Sequence, residues 1–484
     1  MRILSLFTSA FILTAPLRAQ DKIAGAFIDE KKISDLRGTK VGEYIVTTGQ
    51  TTLEGSFVLL LHPDQGLVRR VNLSRHDLQL RGVASQEDAF TMFLSSSVLG
   101  GTEKVEQLTF SKTSRTLSAA KEVASIAFSD KLVGGFTDQQ DFWLVTAQKK
   151  NRTLTLKRFN GAGLASENAF TVPDEKLFRV LLKKDVAFIA AGQETPFEQA
   201  KELNKAYWRE GKLTFAFDDQ DGPEASAEVA LLTFDTQTGT SAVRRLALGV
   251  EPKTRHNSFL HGDTLFVLSV NRQALQLSVF STGDSECLRR FSYPRGEVIE
   301  IKASPLFKNG ENAERDWSVP GNPRKVFKSI SSAWGRPVIS VWGAGNAYRF
   351  LLGEYAVARG GGGGMMIPTG GGTFSTPGGS FTVPVTYGFS HVGGGSSAAV
   401  YTYFYGALLK QQLRIAPAET AVSGVFDQIQ ARIKLLDEKI KLGGQGLITS
   451  PDGTYLLYLN GKEKYLTVEA FTVAQPTEVS DHFE

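Results

Sequence analysis

Phe57-Val-Leu-Leu-Leu-His-Pro-Asp-Gln-Gly66 is the stretch from which the fold can be read. Its apolar run does not alternate with polar residues and ends in a Pro-Asp turn, which reads as a strand covered on both faces. The pattern returns as Leu108-Thr-Phe-Ser-Lys-Thr-Ser114, Leu156-Lys-Arg-Phe-Asn-Gly161, Leu232-Thr-Phe-Asp-Thr-Gln-Thr-Gly239 and Ser278-Val-Phe-Ser-Thr-Gly283. The anchors Leu61, Phe110, Phe159, Phe234 and Phe280 stand 49, 49, 75 and 46 residues apart. A period of about 50 is the length of one four-stranded propeller blade.

Outward from each anchor, β-rich segments alternate with clusters of Gly, Asn, Asp and Ser, the pattern of an antiparallel meander. In repeats one, four and five the last strand carries paired arginines, Arg69-Arg70, Arg244-Arg245 and Arg289-Arg290. They read as outermost strands whose charge blocks edge-to-edge association, in preference to a basic binding ring. The long fourth repeat holds Thr195-Pro-Phe-Glu198. Thr195 is placed to cap a helix there that continues through Phe197, Ala200, Leu203 and Tyr207. It also holds an acidic loop at 218–224, in which Asp218, Asp219 and Asp221 offer oxygen ligands for calcium. Their spacing matches no twelve-residue calcium loop, so a solvated hairpin turn is the preferred reading and no cofactor is expected.

From residue 298 the rhythm loosens. A polar loop at 309–324 carries Trp317, and a Gly-rich insertion at 359–395 carries Met365, Met366, Phe374 and Phe381. So much glycine costs backbone entropy on ordering, which predicts a mobile loop with a small hairpin at 381–389. Val425, Phe426, Ile429, Ile433, Leu436 and Ile440 mark a helix over 425–440, stopped by Gly443-Gly444. Ser450-Pro-Asp-Gly453 before Tyr455-Leu-Leu-Tyr458 resembles the repeat turn of TolB-like propellers. The resemblance implies a fold and assigns no residue a role. The seventh repeat lacks an outer strand, while Ile23-Ala-Gly-Ala-Phe-Ile28 is a strand without a blade. Propellers close by pairing their ends, which predicts that this strand completes the last blade. The expected fold is therefore an all-β propeller of seven blades with two short decorating helices. An eighth blade built from 298–342 is the alternative.

Residues 1–19 read as a signal peptide, with a short apolar run after Arg2 and a small residue, Ala19, at the cleavage point. That leaves 20–484 as a single propeller domain, exported to the periplasm or the outside. No second apolar run reaches the roughly 18 residues a membrane helix needs. The chain has 54 Lys+Arg and 50 Asp+Glu. Near-neutral charge argues against a nucleic-acid partner.

Local catalytic motifs are missing from the sequence. The six His lack the spacing of a helical zinc pair, and His256 and His261 beside Asp263 read as turn residues more readily than as a metal site. There is no nucleophile elbow and no phosphate loop. Cys287 is expected to be buried in a strand. Trp317, Met365, Met366, Phe374 and Phe381 are the candidate binding residues, because apolar groups on loops mark interaction sites. These readings favour a non-catalytic interaction or scaffold propeller of the cell envelope, with another envelope or secreted protein as partner. The alternatives are a propeller hydrolase or lyase acting on glycans, and a module that binds sugars or small ligands.

Overall fold

In the computed structural model, strand pairing closes the chain into a ring of seven sheets. The structure describes residues 22–471 except 31, 52–54, 74–77, 99–101, 139, 190–193, 219–226, 252–253, 310, 314–322, 332–334, 358–373, 377–378, 382–398, 418–423 and 451–452. The chain starts with β1 (Lys22–Phe27), which belongs to the last blade. Blade one is β2 (Ser34–Val41), β3 (Tyr44–Thr51), β4 (Gly55–His62) and β5 (Gly66–Leu73); blade two is β6 (Gln79–Ser85), β7 (Ala89–Val98), β8 (Thr102–Ser111) and β9 (Lys121–Ile126). Blade three is β10 (Lys131–Asp138), β11 (Asp141–Gln148), β12 (Thr153–Asn160) and β13 (Gly163–Thr171), followed by helix α1 (Glu175–Lys183). Blade four runs from β14 (Ala187–Ile189) through the four-residue helix α2 (Phe197–Ala200) to β15 (Asn204–Arg209), β16 (Lys212–Phe217), β17 (Glu228–Asp235) and β18 (Thr240–Ala247). Blade five is β19 (Arg255–His261), β20 (Thr264–Val270), β21 (Ala274–Ser281) and β22 (Cys287–Pro294).

Blade six has an irregular chain path. It takes in β23 (Phe307–Lys308) and β24 (Glu311–Asn312), then α3 (Pro323–Ile330), β25 (Arg336–Ala344) and β26 (Ala347–Val357). A separate hairpin follows, β27 (Phe374–Thr376) with β28 (Gly379–Phe381), before β29 (Ala399–Leu409) returns to the sheet. After α4 (Val425–Lys439) come β30 (Leu442–Ser450), β31 (Gly453–Asn460) and β32 (Tyr465–Phe471), and β1 pairs with β32 to complete blade seven. The spare N-terminal strand thus closes the ring, as its sequence predicts. Among the described residues, 298–342 form no eighth blade, because β25 pairs with β26 inside blade six.

The central strands are apolar throughout because their side chains serve two interfaces in alternation. On β4, Phe57, Leu59 and Leu61 pack with Leu457, Leu459 and Val468 of blade seven. The intervening Val58 and Leu60 pack with Phe90, Met92 and Leu94 of blade two. The five anchors all lie on the strand next to the outermost one of their blade and are at most 2% exposed. Burying such a side chain contributes about 1.5–3 kcal/mol, so the repeated anchor is a repeated source of stability. The paired arginines sit on β5, β18 and β22, each the outermost strand of its sheet.

Four expectations need correction. The helix at Phe197 stops at Ala200, and Tyr207 lies in strand β15. Thr195 makes no capping bond there, since Pro196 is the N-cap residue and no side chain caps it. The decorating helices also exceed two: α1 and α3 stand beside α2 and α4. Cys287 opens the edge strand β22 and is exposed, because its blade has no neighbour on that side. The described residues of the Gly-rich segment form a hairpin at 374–381, while the hairpin expected at 381–389 lies, beyond Phe381, outside the described residues.

Candidate functional site

The first strands of the blades face the middle of the ring, with β2 against β30, β6 against β10 and β19 against β25. Counting β14 and β15 together for blade four, these strands carry eight Lys and Arg (Arg37, Lys40, Arg81, Lys131, Lys205, Arg209, Arg255, Arg336) and two acids, Asp35 and Asp138. Several of the cations work as internal donors. Arg81 donates to Ser95 Oγ at 2.6 Å and to Glu103 at 2.5 Å. Burial, offset by Asp35 and reinforced by the Arg81 charge, brings Arg37 down to about 10. Lys131 donates to Lys184 O at the end of α1 at 2.6 Å, and burial lowers it to about 8. Asp138 accepts from Trp208 Nε1 at 2.7 Å.

Blade four sends residues 194–204 across to blade six. Thr195 N donates to Ser340 Oγ on β25 at 3.1 Å. Phe197 is fully buried, its ring 4.9 Å from Tyr401 and 5.8 Å from Phe426. At the other end Asn257 Nδ2 donates to Ala200 O and Lys201 O at 3.2 and 3.3 Å. Lys205 donates to Asn257 Oδ1 at 2.6 Å and to Glu202 O, and burial lowers it to about 8. Carbonyls at a helix end need such donors when they are buried.

Those contacts bring the segment to a seam between blades six and seven. Neighbouring blades elsewhere share apolar clusters directly, such as that joining blades four, five and six. Among the described residues, no cluster contains side chains of both blade six and blade seven. Instead α4 stands between them. Phe426 joins Val338, Trp342, Leu351, Tyr403 and Tyr405 of blade six, while Val425, Ile429 and Leu436 join Leu447, Leu456, Tyr458 and Phe471 of blade seven. Further along the helix Arg432 donates to both oxygens of Glu469 at 2.8 and 2.5 Å, and Tyr458 OH donates to the same carboxylate at 2.8 Å.

The start of α4 has Gly424 as its N-cap residue and no side-chain cap of its own. Glu194 supplies one from afar: its Oε2 accepts from Val425 N at 2.7 Å. One turn in, Asp427 accepts a hydrogen bond from Tyr403 OH. Both acids are buried, as is Tyr405 beside them. Burial, reinforced by the Asp427 charge, pushes Glu194 up to about 8, and burial pushes Asp427 up to about 6. Burial raises Tyr405 as well. The seam therefore combines two carboxyl groups, two phenols and a helix N-terminus in a low-dielectric site, where like charges strongly disfavour double ionisation.

The candidates chosen from sequence lie elsewhere. Trp317, Met365 and Met366 fall outside the described residues, as do residues 1–19, expected to be a signal peptide, and Asp219 and Asp221. Phe374 and Phe381 are paired across the β27–β28 hairpin. Asp218 is turned inward, accepting from Ser258 N at 2.6 Å and Ser258 Oγ at 2.9 Å, with His256 Nε2 at 3.8 Å. His261 lies at the far end of the same strand and meets the Tyr348 ring edge-on. No group of three His, Cys, Asp or Glu suited to a metal occurs among the described residues. Glu194 and Asp427 escaped notice because 231 residues separate Glu194 from the amide it caps. A signal was present in Tyr401-Thr-Tyr403-Phe-Tyr405, whose period of two places three phenols on one face of β29.

No family and no curated protein matches the chain. Solved structures similar to it include the Dos1 propeller, with a TM-score of 0.38 and 10% identity over 94% of this chain and 95% of that one. The WD40 domain of SCAP from fission yeast gives 0.32 and 8% over 91% and 82%. The GH43 endo-arabinanase from Bacillus licheniformis gives 0.20 and 11% over 55% and 94%. Likenesses this distant carry nothing about ligands or activity, and the seven blades rest on the chain's own strand pairing.

Proposed function

We propose that the protein is an exported, non-catalytic propeller of the cell envelope that binds another envelope or secreted protein through loops on one rim. The observation that carries this reading is the use made of the ionisable groups at the ring centre. A glycoside hydrolase needs two carboxyl groups flanking its substrate. The described first strands carry only Asp35 and Asp138, on different blades, and Asp138 is bonded to Trp208. The buried acid pair at the seam is shut away from substrate by α4 and residues 194–204. Interaction roles suit a ring whose inner charges stitch blades together and leave the rims free to vary.

The test compares capture of partners from the native envelope by residues 20–484 and by the same chain lacking 360–395, alongside turnover assays on a glycan panel. A partner retained by the first and lost with the second is the expected result. Turnover of any glycan by the purified protein would overturn the reading and favour the hydrolase or lyase alternative.

A further inference from the structure

We propose that Glu194 and Asp427 form a proton-gated latch on α4: while the pair holds one proton the helix is locked into the seam between blades six and seven, and loss of that proton releases it. The inference is independent of the proposed partner and concerns how the ring is held shut.

The geometry supplies the latch. Glu194 belongs to the segment that blade four sends across the ring, Asp427 to α4, and Tyr403 to blade six, so three separate parts of the chain meet at the two carboxyl groups. A Cβ at Gly424 would overlap the Glu194 carboxyl group, so glycine leaves that carboxyl its place at the start of the helix. The remaining oxygens, Glu194 Oε1 and Asp427 Oδ2, are buried without a hydrogen-bond partner among the described residues. Either carboxyl group can carry the proton that the pair holds, with the Tyr405 phenol beside Asp427.

The charged groups on the surrounding elements do not neutralise the pair. Arg432, on α4 itself, is committed to Glu469 of β32 together with Tyr458 of β31. Lys201, at the end of α2, lies over the Tyr355 ring of β26 at 4.3 Å. Arg349, on the same face of β26 as Leu351, is lowered by burial alone. From β29 come only the phenols of Tyr401, Tyr403 and Tyr405, and from β25 Ser340 Oγ and the Trp342 indole. Glu354 of β26 turns toward Arg255 of blade five. The helix amides favour an anion, yet burial and the Asp427 charge outweigh them at Glu194.

The sign follows from the direction of the shift. A carboxyl group whose value is raised on closing stabilises the closed state fully below its ordinary range, and that stabilisation is lost as pH climbs through the raised value. For Glu194 the loss continues up to about pH 8. Between pH 6 and pH 8 the opening equilibrium of α4 rises by up to about tenfold per pH unit.

The test is amide hydrogen exchange on the whole chain at pH 6, 7 and 8, corrected for intrinsic rates, following peptides from 425–439 and, as reference, 453–460. In the natural protein opening of α4 rises by up to about a hundredfold from pH 6 to pH 8 while β31 stays constant. In Glu194→Gln the rise shrinks to the roughly twofold change that Asp427, raised to about 6, still supplies. Asp427→Asn removes the charge that helps to raise Glu194, so the rise over this range becomes smaller than in the natural protein even if Glu194→Gln does not fold. The proposal is overturned if α4 opens equally at pH 6 and pH 8 in the natural protein, if either variant keeps the natural slope, or if β31 loses protection in step with α4.

Discussion

Helices α1 and α4 both begin at a carboxyl group drawn from outside the helix proper, and the two groups live in opposite surroundings. Asp174 immediately precedes α1, accepts from Leu177 N at 3.1 Å and meets Arg245 at 2.5 Å. Burial raises it, but the hydrogen bonds from Leu177 and Arg245 more than offset that and leave it below the ordinary carboxylate range. Glu194 is buried, borrowed from another blade and raised. The packing differs in the same way. α1 shares a single apolar cluster with strands of blades three and four, which also touch each other, whereas α4 bridges two clusters that are otherwise separate. The same local requirement, an acceptor for orphan amides, produces a routine cap in one place and a joint in the other.

The sharpest way to break this contrast is to remove one large side chain from each helix. Phe178→Ala and Phe426→Ala each delete a buried ring and should each cost about 3–5 kcal/mol. Urea unfolding with trypsin cleavage as the readout separates them. Phe178→Ala is expected to shift one cooperative transition, since its cluster contains both blades. In Phe426→Ala, cleavage within α4 should precede unfolding of the blades, because a helix joining two clusters can leave them intact. Two variants with identical single transitions would erase the distinction.

A smaller effect sharpens it. Arg432→Met leaves Glu469, 3% exposed, with Tyr458 as its remaining donor among the described residues, and should cost about 1–3 kcal/mol. Arg245→Met, beside α1, breaks contacts to Asp174 and Glu228 on the surface and should cost less than about 1 kcal/mol. Urea midpoints at constant slope measure both. Equal losses would mean that burial of the seam adds nothing to its ion pair.

How far each region could be read from the sequence follows from the same physics. Central strands such as Phe57-Val-Leu-Leu-Leu61 announce themselves, because both faces are apolar and the run is continuous. The first strands do not. Ser34-Asp-Leu-Arg-Gly-Thr-Lys-Val41 and Gln79-Leu-Arg-Gly-Val-Ala-Ser85 look like loops, since they carry polar groups toward the ring centre and glycine where the next blade crowds in. At Gly82 a Cβ would stand 2.5 Å from the Phe142 ring, so the residue that disguises the strand is the one its packing needs. The α4 stripe was legible as a helix, but its place between two blades was not. Periodicity reports that a face is covered and is silent about what covers it. The acid pair was less legible still, for two carboxyl groups so distant in sequence leave no spacing to recognise.

The smallest expected effect is the one in which the contrast becomes a matter of sign. Asp174→Ala removes a helix cap and should cost about 1 kcal/mol at neutral pH. Because the folded value of Asp174 is depressed, its contribution is present above the ordinary carboxylate value near pH 3.9 and disappears as pH falls through the depressed value. Thermal unfolding of the natural chain and the variant should therefore differ at pH 7 and draw together as pH falls below the ordinary carboxylate range. Arg245 stays charged throughout that range, so the convergence reports Asp174 itself. Glu194 behaves in the reverse sense, supporting its helix at low pH and ceasing to do so as pH rises. Two acids that cap two helices of one ring thus lose their hold at opposite ends of the pH scale: the Leu177 and Arg245 hydrogen bonds decide the end for Asp174, burial and the Asp427 charge for Glu194. If the Asp174→Ala difference instead grew on acidification, Asp174 would have to be raised as Glu194 is, and exposure to Arg245 and solvent would not be what separates the two caps.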